Sequence, residues 1–282
     1  MSSLLPATDL ISCYVLIDDI SKNIIPQYIT GRPPSLSISE TTTILVYASI
    51  MLRVKTLKDI WNIFHIYHKK DFKRFPSYSA FVDEVHRSLP YMEEILSQLL
   101  VKSGLNFVDS TFLEVCTLTR TDHYKVARDM VAFGKNHQGW HFGFKMHTAI
   151  HELGMLSGIL ITPGNIYDAQ ALPDLVNMHM KLIIGDSHYG AKVMREYIWN
   201  TYHIAIITPP HHTQKTKVST WWQIALLNMR SKIETVFDYL KNHMHFVSSF
   251  PRSLNGYFVH YYRILIGYQI ELLLKYVAKQ GC

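Results

Sequence analysis

Asp109 closes the apolar run LNFV and Asp186 closes KLIIG, and a serine follows each aspartate. Farther along, NMRSKIETVFDYLK sets Arg230, Glu234 and Lys241 at offsets of four and then seven residues. At about 100° per residue, an ideal helix puts Glu234 roughly 40° and Lys241 roughly 20° from Arg230, so all three share one stripe. Phe237 falls on that stripe too, which therefore need not face open water. As a solvated ladder, such pairs contribute only about 0.2–0.5 kcal/mol each. Packed against a sheet edge, the same stripe holds one carboxylate between two cations. Three carboxylates from distant segments make the oxygen-rich set that Mg²⁺ or Mn²⁺ prefers. Two such ions about 3.5–4 Å apart can activate a nucleophile and stabilise the leaving oxygen of a phosphodiester displacement. Arg230 and Lys241 would then hold phosphate oxygens, Arg230 by a fork and Lys241 as a point charge.

The elements that must position these groups follow from periodicity. LNFVDSTFLEVCTL predicts two short strands around Asp109, and HFGFKMHTAIHELGMLSGILIT predicts a hairpin turning at ELG. Lys145 shares strand parity with His141, His147 and His151, which puts it on one face, within reach of phosphate. NIYDAQALPDLVNMHM reads as a helix, KLIIGDSHYG as a strand ending in a turn at Asp186, AKVMREYIWNTY as a helix and HIAIIT as a strand. PPHHTQKTK is a breaker-rich loop, and a helix runs from about residue 219 to 241. Strands followed by strand–helix–strand–helix indicate a mixed α/β domain, where ligands bind at the carboxyl ends of strands. Before Gly104 the pattern is helical over 40–66 and 79–101, with Ser79 and Ser88 as candidate caps. Trp221 and Trp222, at the start of a helix, and the aromatic, apolar stretch 254–276 are expected to pack.

The composition sets bounds. Apolar residues make up 48% and charged residues 18%, which fits a globular chain rather than a disordered one. No apolar run is long enough to span a membrane, and the opening residues lack the basic leader of a secretory signal. Three scattered cysteines exclude a disulfide framework and a CxxC motif, and point to a reducing interior such as a bacterial cytoplasm. The formal charge is +6, and residues 1–100 are neutral, with ten basic and ten acidic residues. The whole excess therefore lies after residue 100, an arrangement that suits a polyanionic partner.

VDSTFLEVC, the pair Gly134–Lys135, GWHFGFKMH, TPGNIYDAQALPDL, Gly185–Asp186 with Tyr189, and RSKIETVFDYLK occur in that order. On these motifs the chain, from about Asn106 to Arg263, resembles bacterial insertion-sequence DDE transposases, most closely the family typified by insertion sequence 982. The resemblance implies an RNase H-like catalytic domain over 103–282 and an all-α N-terminal domain over 1–102 that could grip DNA. Asp109, Asp186 and Glu234 are then the catalytic, metal-holding acids, and Arg230 and Lys241 the basic members of the signature around the glutamate. Arg252 and Ser253 match part of a basic pattern near the end of the region. The implied activity is Mg²⁺-dependent cleavage of element ends and joining of their 3′-hydroxyls to target DNA, by a homodimer on paired terminal inverted repeats. The chain departs from the family pattern at Leu227, where a tyrosine is usual, and at Ser187, where relatives carry a lysine. These departures motivate the rival expectation of a decayed transposase that only binds DNA.

Overall fold

The computed structural model describes residues 9–24, 33–210, 220–248 and 250–280. The chain divides into two compact units, one made of 1–99 and 242–282, the other of 100–241.

In the first unit, helices begin where short polar side chains cap them. Asp9 Oδ1 accepts from the Ser12 N–H at 2.6 Å ahead of α1 (Leu10–Ser21). Ser37 and Glu40 exchange bonds in a capping box that starts α2 (Ile38–Tyr47). The helix expected over 40–66 is broken: a wide turn follows α2, and Arg53 takes a left-handed backbone conformation (φ 51°). Thr56 then caps α3 (Leu57–Ile63). α4 (Tyr78–Leu99) is capped by Ser77, whose Oγ accepts from the Ala80 N–H, and not by Ser79. Ser88 lies inside that helix and donates to the Val85 carbonyl.

The second unit is built on a mixed sheet. β1 (Leu105–Glu114) is one continuous strand and not two, because it pairs along its length with β3 (Gly139–Ile150). β2 (Ala132–Asn136) pairs with the first residues of β3, and β4 (Leu156–Pro163) closes the expected hairpin through a turn with Gly154 at φ 86°. After α5 (Asp168–Leu175) come β5 (Leu182–Ile184), α6 (Lys192–Tyr202) and β6 (Ala205–Ile207). β5 runs parallel to both β1 and β6, so the sheet order is β2-β3-β1-β5-β6, with β4 on the other edge of β3. One face of this sheet buries Val108, Ala149 and Ile183 against Leu172 and Leu175 of α5 and Ile198 of α6. Most of the loop PPHHTQKTK lies outside the described residues.

The helix expected over 219–241 is two helices, α7 (Trp221–Met229) and α8 (Ser231–Asp238), followed by a wide turn over Tyr239–His243. At the junction the Arg230 N–H bonds the Leu227 carbonyl and the Ile233 N–H bonds the Arg230 carbonyl, both tight three-residue spans. α8 buries Ile233, Val236 and Phe237, and each such side chain contributes about 1.5–3 kcal/mol. α7 buries none of its residues, and Trp221 is 80% exposed, contrary to the expected packing.

The last helix, α9 (Leu254–Gln280), belongs to the first unit, where Gln269 Nε2 donates to the Leu99 carbonyl at the end of α4. A division at 102/103 would leave 242–282 with the sheet. By packing, the segment goes with the helices, since its buried aromatic and aliphatic side chains complete their core.

Candidate active site

β1 and β5 are parallel neighbours in the register Phe107↔Ile184. Two residues further on along each chain come Asp109 and Asp186, and the period of two keeps both on the face of Phe107 and Ile184. Asp109 thus lies in mid-strand with respect to β3 but just beyond the end of β5. This places it at the carboxyl edge of the parallel pair, although it ends no strand itself. Gly185 faces the other way: a Cβ there would sit 2.8 Å from the Tyr189 ring and 3.0 Å from Val108. Only glycine lets β5 end this close to its neighbour and turn out the aspartate.

α8 supplies the third acid. Arg230 donates through one guanidinium nitrogen to Asp109 Oδ2 and through the other to Glu234 Oε1, both at 3.0 Å. One fork therefore spans the first and third acids of the predicted triad. Asp186 accepts from the His188 N–H at 2.9 Å and pairs with His188 Nδ1 at 2.8 Å, held by its own turn.

Asp109 is pushed up to about 6. Burial is the main cause; the Ser110 N–H and Arg230 pull the value back, and the charges of Asp186 and Asp168 add to the rise. Once water is removed, the negative charge on Asp109 is in excess of what Arg230 and the Ser110 N–H compensate, so the carboxyl stays hard to ionise. The oxygen donors suit a hard divalent cation, which would relieve that excess. Among the described residues, however, no three acid, histidine or cysteine side chains already converge on one ion position. The nearest positive charge to Asp109 and Glu234 is Arg230 itself.

One of the expected phosphate contacts has another partner. Lys145 Nζ forms an ion pair with Asp168 Oδ1 at 2.7 Å and lies 5.4 Å from the centre of the Phe112 ring. Lys241 falls in the wide turn after α8, where one extra residue per turn moves it off the ideal stripe. Burial lowers its pKa, and the opposing charge it feels is Glu114, at the far end of β1 from Asp109. Arg252 belongs to the first unit.

Asp168 escaped the sequence reading. It opens α5, where a carboxylate favours the helix dipole, and it contacts Lys145, His147 (3.4 Å) and Ser110. Burial would raise its pKa, but hydrogen bonds from His147, Lys145 and Ser110 outweigh that and hold it well below the usual carboxylate range. The two buried acids are therefore shifted in opposite directions. Asp168→Asn is expected to lower stability by about 3 kcal/mol at pH 7, because Lys145 keeps its charge without a partner. Since the folded pKa is depressed, the stabilisation is present above the unfolded value and is lost as the pH falls below about 4. The urea midpoint of variant and wild type as a function of pH measures both. The signal that could have found Asp168 was an acid opening the helix that follows the hairpin carrying Lys145 and His147 on one face.

The family described as "Transposase DDE domain" matches residues 101–254, more than half of the chain and the whole of this site. By this match the chain belongs to the DDE transposase family. It is therefore a transposase, and DNA is its substrate. Comparison with curated proteins and with solved structures gives no match. No helix among the described residues is long and apolar enough to cross a membrane.

Proposed function

We propose that this transposase cuts the ends of an insertion sequence and transfers them to target DNA through Asp109, Asp186 and Glu234, on an RNase H-like domain, with the N-terminal helices contributing to DNA binding. The observation that supports this best is the register: Asp109 and Asp186 stand side by side past the end of β5, with Glu234 brought to Asp109 by one guanidinium. The three carboxylates would hold Mg²⁺ or Mn²⁺, two ions in the full reading, and the metal supplies nucleophile activation and stabilisation of the leaving oxygen. Asp109 must give up its proton to take part, which ties activity to a group pushed up to about 6. Arg230 must release Asp109, and its fork is then free to take phosphate oxygens. The terminal inverted repeats, target DNA, a homodimer on paired ends and a bacterial cytoplasmic setting belong to the same proposal.

The test is cleavage and strand transfer on element ends with Mg²⁺. Products are expected from the wild type and none from Asp186→Ala or Glu234→Ala; wild-type yields from these variants would refute the assignment. A second reading, a remnant that binds DNA without cutting it, is favoured by the Arg230 bridge, which occupies Asp109 and Glu234 together. It predicts specific binding with no metal-dependent nicking.

A further inference from the structure

The first unit contains a cavity of about 380 Å³, lined by residues 55–58, parts of α4, and the start of α9. Its lining includes Lys55, Lys58, Arg252 and Arg263, the imidazoles of His86 and His260, and no aspartate or glutamate. The volume lies in the range of small-ligand sites. The cations differ in how they are held. Arg263 is fixed in the floor by Ser49 Oγ and the carbonyls of Val54 and Lys55. Lys58 Nζ stands 4.4 Å from the Trp61 ring centre and 4.3 Å from that of Tyr78. Lys55 and Arg252 are exposed and, among the described residues, form no ion pair.

Two further facts give the cavity its sign. The first turn of the 27-residue helix α9 forms part of the wall, with Ser253 Oγ accepting from the Gly256 N–H, so the positive end of a long helix adds to the side-chain charge. Nearby imidazoles register the field: burial lowers His245 first, and Lys55, Arg53 and Arg263 lower it further, while burial and then Arg263 push His260 down to about 3. A concave, carboxylate-free site with two uncommitted cations at its mouth fits a group carrying a negative charge and several acceptor oxygens.

We propose that this cavity seats a backbone phosphate of the DNA on which the transposase acts, held by Lys55 and Arg252 over the first turn of α9. The proposal rests on the chain acting on DNA; it does not depend on the three acids being catalytic. It gives Arg252 a definite partner in Lys55, from a segment distant in sequence.

The experiment measures binding of the full chain to a labelled random-sequence duplex in EDTA, so that cutting cannot contribute. Each lost phosphate contact removes about 0.9 from the slope of log K against log salt. Lys55→Gln with Arg252→Gln removes the one seated phosphate and is expected to flatten the slope by about 0.9, so that between about 50 and 200 mM salt the wild type loses about 3.5-fold more affinity than the variant. The charge-keeping pair Lys55→Arg with Arg252→Lys is expected to retain the wild-type slope, which separates loss of charge from damage to the fold. An unchanged slope in the glutamine variant overturns the proposal. So does an unchanged slope together with loss of stabilisation by inorganic phosphate in thermal melts, since that assigns the cavity to a free phosphate compound. A failure of the three-acid mechanism would show only in the cleavage assay and would leave this slope intact.

Discussion

Asp109→Asn is expected to abolish metal-dependent DNA cleavage and, at the same time, to make the metal-free protein more stable at neutral pH. The first half follows from the site: an amide keeps the shape but loses the charge that a divalent cation needs, and the expected loss is at least about a thousandfold. The second half follows from linkage. The Asp109 carboxyl lies above its ordinary value of 3.8, at about 6, mainly because it is buried. Its folded pKa exceeds the unfolded one, so the favourable contribution is complete below about pH 4 and disappears as the pH rises through about 6. At pH 7 and above, the ionised group costs about 3 kcal/mol relative to its neutral form. The asparagine variant should recover about 1–3 kcal/mol of this, read from urea unfolding in EDTA at pH 7.5, with the difference vanishing near pH 4. Adding Mg²⁺ should stabilise the wild type and not the variant, because only a folded state that binds the ion gains from it. A variant less stable than the wild type at neutral pH would show that the Arg230 contact outweighs the cost of burying the charge.

Arg263→Ala is expected to lower the stability of the first unit by about 3–5 kcal/mol, the other large effect. Arg263 is 2% exposed, and burial lowers its pKa to about 10. Its guanidinium donates to Ser49 Oγ at 2.8 Å, to the carbonyls of Val54 and Lys55 at 3.1 and 3.2 Å, and to His260 Nδ1 at 3.1 Å. That last bond fixes the neutral His260 tautomer, whose Nε2–H donates to the carbonyls of His245 and Phe246. Alanine would leave the Val54 and Lys55 carbonyls without this donor and open a cavity below the pocket lined by Lys55 and Arg252. Arg263→Lys keeps the charge but not the fork and should recover only part of the loss. Chemical denaturation followed by near-ultraviolet circular dichroism provides the readout, and an alanine variant within about 1 kcal/mol of the wild type would contradict it.

The candidate site could be read in the sequence wherever local pattern decides position. An apolar run ending in aspartate placed Asp186, and an offset of four paired Arg230 with Glu234. Asp109 was found for a partly wrong reason, since the run does not end there; the shorter neighbour β5 ends beside it. The angle of Lys241 departs from the ideal-helix reading because a wide turn, which has no strong sequence mark, follows α8. Asp168 was missed because its partners come from the pairing of β1 with β3, which sets Ser110 opposite His147. Arg263 sits in a helix correctly expected to be core, but its carbonyl partners lie more than two hundred residues earlier in the chain. Long-range register and burial of this kind are fixed only once the sheet and the helix pairs have formed.

The first unit is discontinuous in sequence, with 100–241 inserted between its two segments. During synthesis the ribosome therefore releases α4 long before α9, and with it the carbonyl at Leu99 waits for Gln269. The sheet unit is complete in the nascent chain while the helical unit still lacks a wall, so the sheet unit has the opportunity to fold first. A stop codon between 242 and the start of α9 would then produce a chain with all three acids and an unfinished bundle, its α4 surface exposed to chaperones and proteases.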